Sequence, residues 1–129
     1  MALRIAIDSN RYVDFCKGEE TIVGVVRRAR QIVLPFIVVA ELRAGFRFGS
    51  RAKKNESVFS RFLQSERVAI LFADEGTTFC YAELFAELRR SGTPVPTNDL
   101  WIAALVIQHG LTLCSRDRHF DHFARLSRL

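Results

Sequence analysis

Short apolar runs alternate along the chain with longer segments in which apolar residues recur at helical spacing. The runs predict buried strands at residues 3–7, 31–34, 68–72 and 111–114, and a brief final strand within 124–129. The longer segments predict a helical turn at 11–16, helices at 19–30, 35–46 and 56–65, a helix from Asp74 or Thr77 to about Arg90, and a helical segment at 118–123. In the helix that ends near Arg90, the side chains expected to face the core are Tyr81, Leu84, Phe85 and Leu88.

The most apolar helix is predicted to follow Pro96. Thr97 or Asn98 is expected to cap its N-terminus, and no polar residue occurs from 100 to 107. A helix that is apolar on every side is buried, and eight residues are far too few to cross a bilayer. The pattern therefore places the carboxylate of Asp99 in the first turn of a buried helix.

Strands that alternate with helices favour an α/β domain with a mostly parallel sheet and helices on both faces. Sites in such sheets lie beyond the carboxyl ends of the strands, and Asp8 and Asp117 both follow predicted strands. The length fits one domain, residues 1–129. Because Arg4 interrupts the N-terminal apolar run, which ends at Asp8, we expect no signal peptide. No segment approaches the length that spans a membrane, and three widely spaced cysteines without a CxxC pair are typical of a cytoplasmic protein.

Four acidic residues are candidates for a shared site: Asp8, Glu41, Asp99 and Asp117. Each alone has an ordinary interpretation as a helix cap, a turn residue, a solvated helix residue or a partner of a helix dipole. Carboxylates that lie together repel one another and resist ionisation, and a divalent cation relieves this repulsion. Oxygen ligands favour Mg²⁺ or Mn²⁺ over Zn²⁺. In a basic protein, such a metal suggests hydrolysis of a phosphodiester.

The net charge of +5 comes largely from arginine, which supplies sixteen of the nineteen basic residues. If four of the fourteen acids enter one site, nineteen positive charges remain against ten negative ones, which suits a polyanionic partner. The densest basic region comprises Arg43, Arg47, Arg51, Lys53 and Lys54. A phosphate-contacting face and a solvated surface are both open interpretations of it.

Two further features have competing interpretations. His119 and His122 lie beside acidic residues, where a zinc site is conceivable, but two exposed histidines on a surface turn are the favoured interpretation. Trp101 and Tyr81 suggest stacking on nucleic-acid bases, but their helical spacing within apolar runs favours a place in the core.

Four segments carry a more specific signal: residues 7–10 (Ile-Asp-Ser-Asn), 39–45 (Val-Ala-Glu-Leu-Arg-Ala-Gly), 92–104 (Gly-Thr-Pro-Val-Pro-Thr-Asn-Asp-Leu-Trp-Ile-Ala-Ala) and 111–120 (Leu-Thr-Leu-Cys-Ser-Arg-Asp-Arg-His-Phe). In order and spacing, over essentially the whole chain, they resemble the PIN-domain ribonucleases. The closest resemblance is to the VapC-type toxins of bacterial and archaeal toxin–antitoxin pairs. Ser9 and Ser115 stand where threonine is more usual, and both keep a hydroxyl.

The resemblance implies a three-layer α/β/α sandwich with a short, mostly parallel central sheet. It implies an endoribonuclease that depends on Mg²⁺ or Mn²⁺ and hydrolyses RNA with metal-activated water. Asp8, Asp99 and Asp117 are carried over as metal ligands, and Glu41 as a ligand that acts directly or through water.

The resemblance also implies supporting residues and partners. Asn10 and Ser115 are expected as polar partners beside the site, and Asp121 is considered as a further outer acid. A VapB-type antitoxin and a second copy of the chain, in a homodimer, are the expected protein partners. The candidates for contacting RNA or the antitoxin are Arg43, Arg47, Arg51, Lys53, Lys54 and Arg116.

Other classes of protein explain the sequence less well. Dehalogenase-like phosphoryl-transfer enzymes need a second aspartate two residues after the first, where this chain has Asn10. A response-regulator receiver needs a lysine at a late strand end, and the lysines here are Lys17, Lys53 and Lys54. A catalytically silent PIN-like module that binds RNA or a partner remains the alternative to an enzyme.

Overall fold

Strands and helices alternate along the chain, as the apolar pattern predicts. The computed structural model describes residues 3–129. The strands are β1 (Arg4–Ile7), β2 (Gln31–Pro35), β3 (Val68–Leu71), β4 (Thr112–Cys114) and β5 (Ser127–Arg128). The helices are α1 (Ser9–Cys16), α2 (Glu20–Arg28), α3 (Phe36–Phe48), α4 (Ala52–Leu63), α5 (Glu75–Ser91) and α6 (Thr97–Gln108), followed by a 3₁₀ helix (Arg118–His122).

The five strands form one sheet in the order β3-β2-β1-β4-β5, and every strand pairing within residues 3–129 is parallel. Helices flank this sheet, so the predicted α/β fold is confirmed. The chain adds β2 and β3 on one side of β1 and then β4 and β5 on the other. The strand order therefore reverses between β1 and β4, which is where ligand sites form in parallel sheets.

The ends of β1 and β4 are level at this point of reversal. Ile7 is paired with Cys114, and the N–H group of Asp8 donates a hydrogen bond to the carbonyl of Cys114 over 3.4 Å. The residues that follow the two strands, Asp8 and Ser115, therefore lie side by side. The expectation that polar groups gather at the carboxyl edge of the sheet is confirmed for these two strands.

Helix α6 forms the centre of the helical packing. Its residues from Ile102 to Val106 are at most 1% exposed, as expected for a helix that is apolar on every side. It packs against α5, α3 and the 3₁₀ helix. Within the described chain, no helix combines the length and the apolar character that a membrane crossing needs.

Two predictions about helices need correction. Leu84 and Leu88 of α5 are buried, but Phe85 is 48% exposed because it lies round the helix from these two residues, which share one face. Helix α4 begins at Ala52 rather than at Glu56, because the basic residues at its start are good helix formers but carry no apolar signal.

Trp101 packs on Tyr81 with ring centroids 4.3 Å apart, and both side chains are half-buried.

Candidate metal site at the carboxyl edge of the sheet

Asp8 is the most enclosed of the four candidate carboxylates, with an exposure of 5%. It is the N-cap of α1, and its Oδ1 accepts a hydrogen bond from the backbone N–H of Arg11 over 2.9 Å. Its Oδ2 accepts a hydrogen bond from the hydroxyl of Ser115. Burial raises the pKa of Asp8 above its usual value, although these two hydrogen bonds act in the opposite direction.

Ser115 connects Asp8 to Asp117. Its side chain is buried, and its Oγ accepts a hydrogen bond from the backbone N–H of Asp117 over 3.0 Å. Asp117 in turn caps the 3₁₀ helix, because its Oδ1 accepts a hydrogen bond from the N–H of His119 over 2.9 Å. These hydrogen bonds fix the turn after β4 and place Ser115 between two of the candidate acids.

Asp99 enters the same region from the first turn of α6. Burial raises its pKa, and the negative charge of Asp117 raises it further. The proximity of these two acids, which belong to different elements, arises because α6 packs against the 3₁₀ helix.

Glu41 reaches the group from α3, the helix that follows β2. Its Oε2 accepts a hydrogen bond from the side-chain amide of Asn98 over 3.3 Å. Burial raises the pKa of Glu41, and the charges of Asp99 and Asp8 raise it further. Glu41 is half-buried, although a solvated helix residue was one interpretation of it.

The contact of Asn98 with Glu41 also corrects the predicted cap of α6. In the described chain the N-cap position is Pro96, and no side chain there accepts a hydrogen bond from the helix. Asn98 instead lies inside the first turn and turns its amide toward a neighbouring helix. Asn98 does use its side chain in a hydrogen bond, as the prediction of a cap implied, but the partner lies on another helix and not in its own first turn.

His119 joins the acids, which sequence reasoning did not favour. Its Nδ1 lies 3.0 Å from Oδ2 of Asp99 and 3.0 Å from Oδ1 of Asp117. In residues 3–129, these three residues form the group whose ligand atoms all lie within 4.8 Å of one another. His119 and His122 are exposed on a surface turn, as predicted, and the ring of His119 in addition lies against two of the acids. The sequence signal that pointed to it was its position two residues after Asp117, where a tight turn brings both side chains to one side.

The charges of this site suit a divalent cation. The four carboxylates are close enough that Asp8, Glu41 and Asp99 each have a pKa raised partly by a neighbouring acid. Oxygen atoms from Asp99 and Asp117 converge on one point, as ligands of a hard cation do. Asp8 and Glu41 lie near this point but outside the three-residue group, where they add negative charge around it.

Two other candidate residues, Asn10 and Asp121, differ in their exposure and contacts. Asn10 is exposed in the first turn of α1. Asp121 forms an ion pair with Arg128, whose guanidinium also donates to the carbonyl oxygens of Ser115 and Asp117. Asp121 therefore binds to the chain's own arginine and is outside the three-residue group, so its role as an outer acid stays a prediction.

Some of the basic candidates form ion pairs, and the others are exposed. Arg43 donates from its Nε to Glu56 over 2.9 Å, and its guanidinium lies 5.5 Å from the ring centroid of Phe59. Arg116 makes two hydrogen bonds to Asp14, over 2.7 and 2.9 Å. The remaining candidates are exposed on α3, α4 and the turn between them: Arg47, Arg51, Lys53 and Lys54.

The family of this chain agrees with its fold and its acidic site. The chain belongs to the PIN domain family, whose model matches residues 5–126. It is 36% identical over 90 residues to the plasmid stability protein StbB of Pseudomonas syringae pv. tomato, an alignment that covers 67% of this chain and 65% of StbB. It is also 36% identical over 83 residues to ribonuclease VapC1 of Haemophilus influenzae (strain R2866), covering 64% of this chain and 58% of VapC1.

A solved structure extends the similarity to nearly the full chain. The structure of VapBC2 from Rickettsia felis, bound to a DNA fragment from its promoter, contains a chain that matches with a TM-score of 0.87 and 26% identity. That match covers 98% of each chain. By contrast, the present chain spans less than two thirds of the length of the two curated relatives in their alignments.

Proposed function

We propose that this protein is an endoribonuclease that depends on Mg²⁺ or Mn²⁺ and is the toxin of a toxin–antitoxin pair. The observation that carries the proposal is the convergence of Asp8, Glu41, Asp99 and Asp117 at the carboxyl edge of the sheet in a PIN-domain chain. The relatives include ribonuclease VapC1, which supports the same activity.

Each acidic side chain has its own proposed role at this site. Asp99 and Asp117 hold the cation, because their oxygens already converge and face partly exposed space. Asp8 is fixed by hydrogen bonds from Ser115 and the backbone of Arg11, and it acts as a further ligand whose negative charge already reaches Asp99. Glu41, oriented by Asn98, acts as a direct or water-mediated ligand. A bound divalent cation would lower the pKa of a water molecule and offset the charge that develops on the phosphodiester.

The charges favour a polyanionic substrate, and the ribonuclease names of the relatives favour RNA. The acidic site alone would repel a phosphate backbone, whereas the whole chain carries a net charge of +5. Exposed basic side chains such as Arg47 and Lys54 attract the backbone over longer distances and orient it across the site. Asn10 supports the site from α1.

The proposed partners are a VapB-type antitoxin and a second copy of the chain. The neighbour from Rickettsia felis is a VapBC complex, which supports an antitoxin for this chain as well. We propose that residues 1–129 act as one nuclease domain in the cytoplasm and that the antitoxin contacts the basic residues beside the site.

Cleavage of RNA by chelator-treated protein, with and without added metal, tests this function. We expect no cleavage in chelator, recovery with Mg²⁺ or Mn²⁺, and loss of the recovered activity in Asp8→Asn and Asp99→Asn variants. Glu66→Gln is the matched control, because Glu66 is exposed just before β3, at the opposite end of the sheet. Equal cleavage in chelator, or full activity of Asp99→Asn, would contradict the mechanism.

The alternative is a silent PIN-like module that binds RNA or a partner without cleaving it. The presence of all four carboxylates, with raised pKa values in three of them, favours the enzyme. A folded protein that binds the cation and RNA yet leaves several RNA classes intact would support the silent module instead.

A further inference from the structure

The imidazole of His119 occupies a definite place among the acids. Its Nδ1 is 3.0 Å from one oxygen of Asp99 and 3.0 Å from one oxygen of Asp117. The three side chains come from two elements, because Asp99 begins α6 whereas Asp117 and His119 belong to the turn after β4. A nitrogen ligand is therefore available at the point where the two carboxylates converge.

The distances agree with a common cation. Two neighbouring ligands of an octahedral ion lie about 3.0 Å apart when each is about 2.1 Å from the ion. Nδ1 has this spacing to both carboxylate oxygens. The same spacing also suits hydrogen bonds from a ring N–H, so distance alone allows two roles for His119: a metal ligand, or a hydrogen-bond donor that orients the acids.

Exposure favours the ligand role. The His119 side chain is 47% exposed, whereas Asp99 and Asp117 are 13% and 31% exposed. The imidazole thus forms the solvent side of the group and can turn without disturbing the core. Its backbone N–H is already bound to Asp117, which holds the residue in place while the ring remains free to coordinate.

The mixture of ligands determines which cation is favoured. Mg²⁺ prefers oxygen ligands and keeps most of its water, so an imidazole adds little to its affinity. Mn²⁺ accepts carboxylates as Mg²⁺ does, but as a first-row transition ion it binds an imidazole nitrogen more readily than Mg²⁺ does, although less tightly than the later transition ions. A site with two carboxylates and one imidazole therefore discriminates between two cations that a purely carboxylate site would bind more nearly alike.

We propose that His119 is a direct metal ligand, through Nδ1, and that it makes this site select Mn²⁺ over Mg²⁺. This inference rests on the cation site of the proposed function and adds a ligand and a selectivity to it. The selectivity is a property of binding, so it can be measured without RNA.

The test compares wild type with His119→Asn in the full chain. Mn²⁺ binding is measured by electron paramagnetic resonance, and Mg²⁺ binding by competition. We expect His119→Asn to weaken Mn²⁺ binding at least tenfold and to change Mg²⁺ binding less than threefold, so that the preference for Mn²⁺ collapses. In wild type, pulsed spectra of bound Mn²⁺ should show coupling to an imidazole nitrogen, and the variant should lack it.

His122→Asn is the matched control, because His122 is an exposed histidine one turn further on. It should keep both the Mn²⁺ preference and the nitrogen coupling. Thermal unfolding without metal establishes that each variant is folded, and His119→Gln provides a second variant if His119→Asn is not.

Three outcomes would overturn the inference. Equal losses for Mn²⁺ and Mg²⁺ would show that His119 only orients the acids, and an unchanged Mn²⁺ affinity would show that it does not contribute. Absence of nitrogen coupling in wild type would exclude coordination. Failure of the nuclease proposal is distinct, since it would appear as intact RNA in the presence of protein that binds Mn²⁺ with nitrogen coupling.

Discussion

The hydroxyl of Ser115 donates a hydrogen bond to Oδ2 of Asp8, a residue 107 positions earlier in the chain. The same hydroxyl oxygen accepts the N–H of Asp117. One small side chain thus fixes a carboxylate at the end of β1 and the start of the turn after β4. The relationship exists because β1 and β4 are parallel neighbours whose carboxyl ends are level.

Removing this hydroxyl should weaken the metal site without unfolding the protein. In Ser115→Ala, Asp8 loses its partner at Oδ2, and we expect Mn²⁺ affinity to fall by about tenfold, as for other groups that orient metal ligands. Ser115→Thr keeps the hydroxyl and should bind nearly as wild type. Calorimetric titration of metal into both variants measures this, and equal affinities in Ser115→Ala and Ser115→Thr would contradict it.

Glu41 should carry a cost in stability when no metal is bound. Its pKa is raised by burial and by Asp99 and Asp8, so the folded state binds the proton of Glu41 more tightly than the unfolded state. This favourable contribution is complete below the usual glutamate pKa and is lost as pH rises through the raised pKa of the folded state. At neutral pH, metal-free Glu41→Gln should therefore melt a few degrees above wild type.

The pH dependence provides the control for that experiment. Because Glu41 is protonated in both states at sufficiently low pH, the difference in melting temperature should disappear there. Added Mn²⁺ should stabilise wild type more than Glu41→Gln, since the variant lacks one negative charge at the site. An advantage of Glu41→Gln that persists unchanged at low pH would indicate a packing effect instead. Glu66→Gln should not show the advantage at any pH.

The exposed basic residues should control RNA affinity through salt-dependent contacts. We expect the triple change Arg47→Ala, Lys53→Ala and Lys54→Ala, in an inactive Asp99→Asn background, to reduce the slope of log affinity against log salt by about 2. Arg43 is left unchanged because it is paired with Glu56. Fluorescence anisotropy with a labelled single-stranded RNA measures the slope.

A matched control comes from the amino-terminal edge of the sheet. Three exposed arginines lie in the last turn of α2 and just before β2: Arg27, Arg28 and Arg30. Changing these three to alanine removes the same charge, and the slope should change much less. Equal effects of the two triple variants would show that net charge, rather than the face formed by α3 and α4, controls binding.

Asp14 should mask Arg116 from RNA. Its two oxygens accept the Nε and Nη2 groups of Arg116, and Arg116 holds the pKa of Asp14 below its usual value. We therefore expect Arg116→Ala to change RNA affinity less than twofold. Asp14→Asn should release the guanidinium and steepen the salt slope by about 0.7, the value for one contact to single-stranded nucleic acid.

The double variant tests whether this coupling is real. Adding Arg116→Ala to Asp14→Asn should return the slope to that of wild type, because the released charge is then absent. Fluorescence anisotropy in the inactive background again supplies the measurement. A large loss of affinity from Arg116→Ala alone would mean that Arg116 contacts RNA while still paired with Asp14.

Much of the architecture and part of the site could be predicted from local patterns. The apolar runs identified strands β1 to β4, and the fully apolar stretch after Asp99 identified the buried helix α6. These predictions succeed because burial within one element leaves a period in the sequence that does not depend on distant residues. Asp8 and the turn that bears Asp117 could be placed at one edge because parallel strands share their direction.

The choice of partners among side chains was decided only by the tertiary structure. Asn98 binds Glu41 instead of capping its own helix, and His119 lies against Asp99 and Asp117 instead of facing solvent alone. The sequence determined the elements, the edge of the sheet and the four acids. The docking of α6 against α3 and the 3₁₀ helix brought these side chains within 3.0 to 3.3 Å, because hydrogen bonds depend on distances between segments that no local pattern specifies.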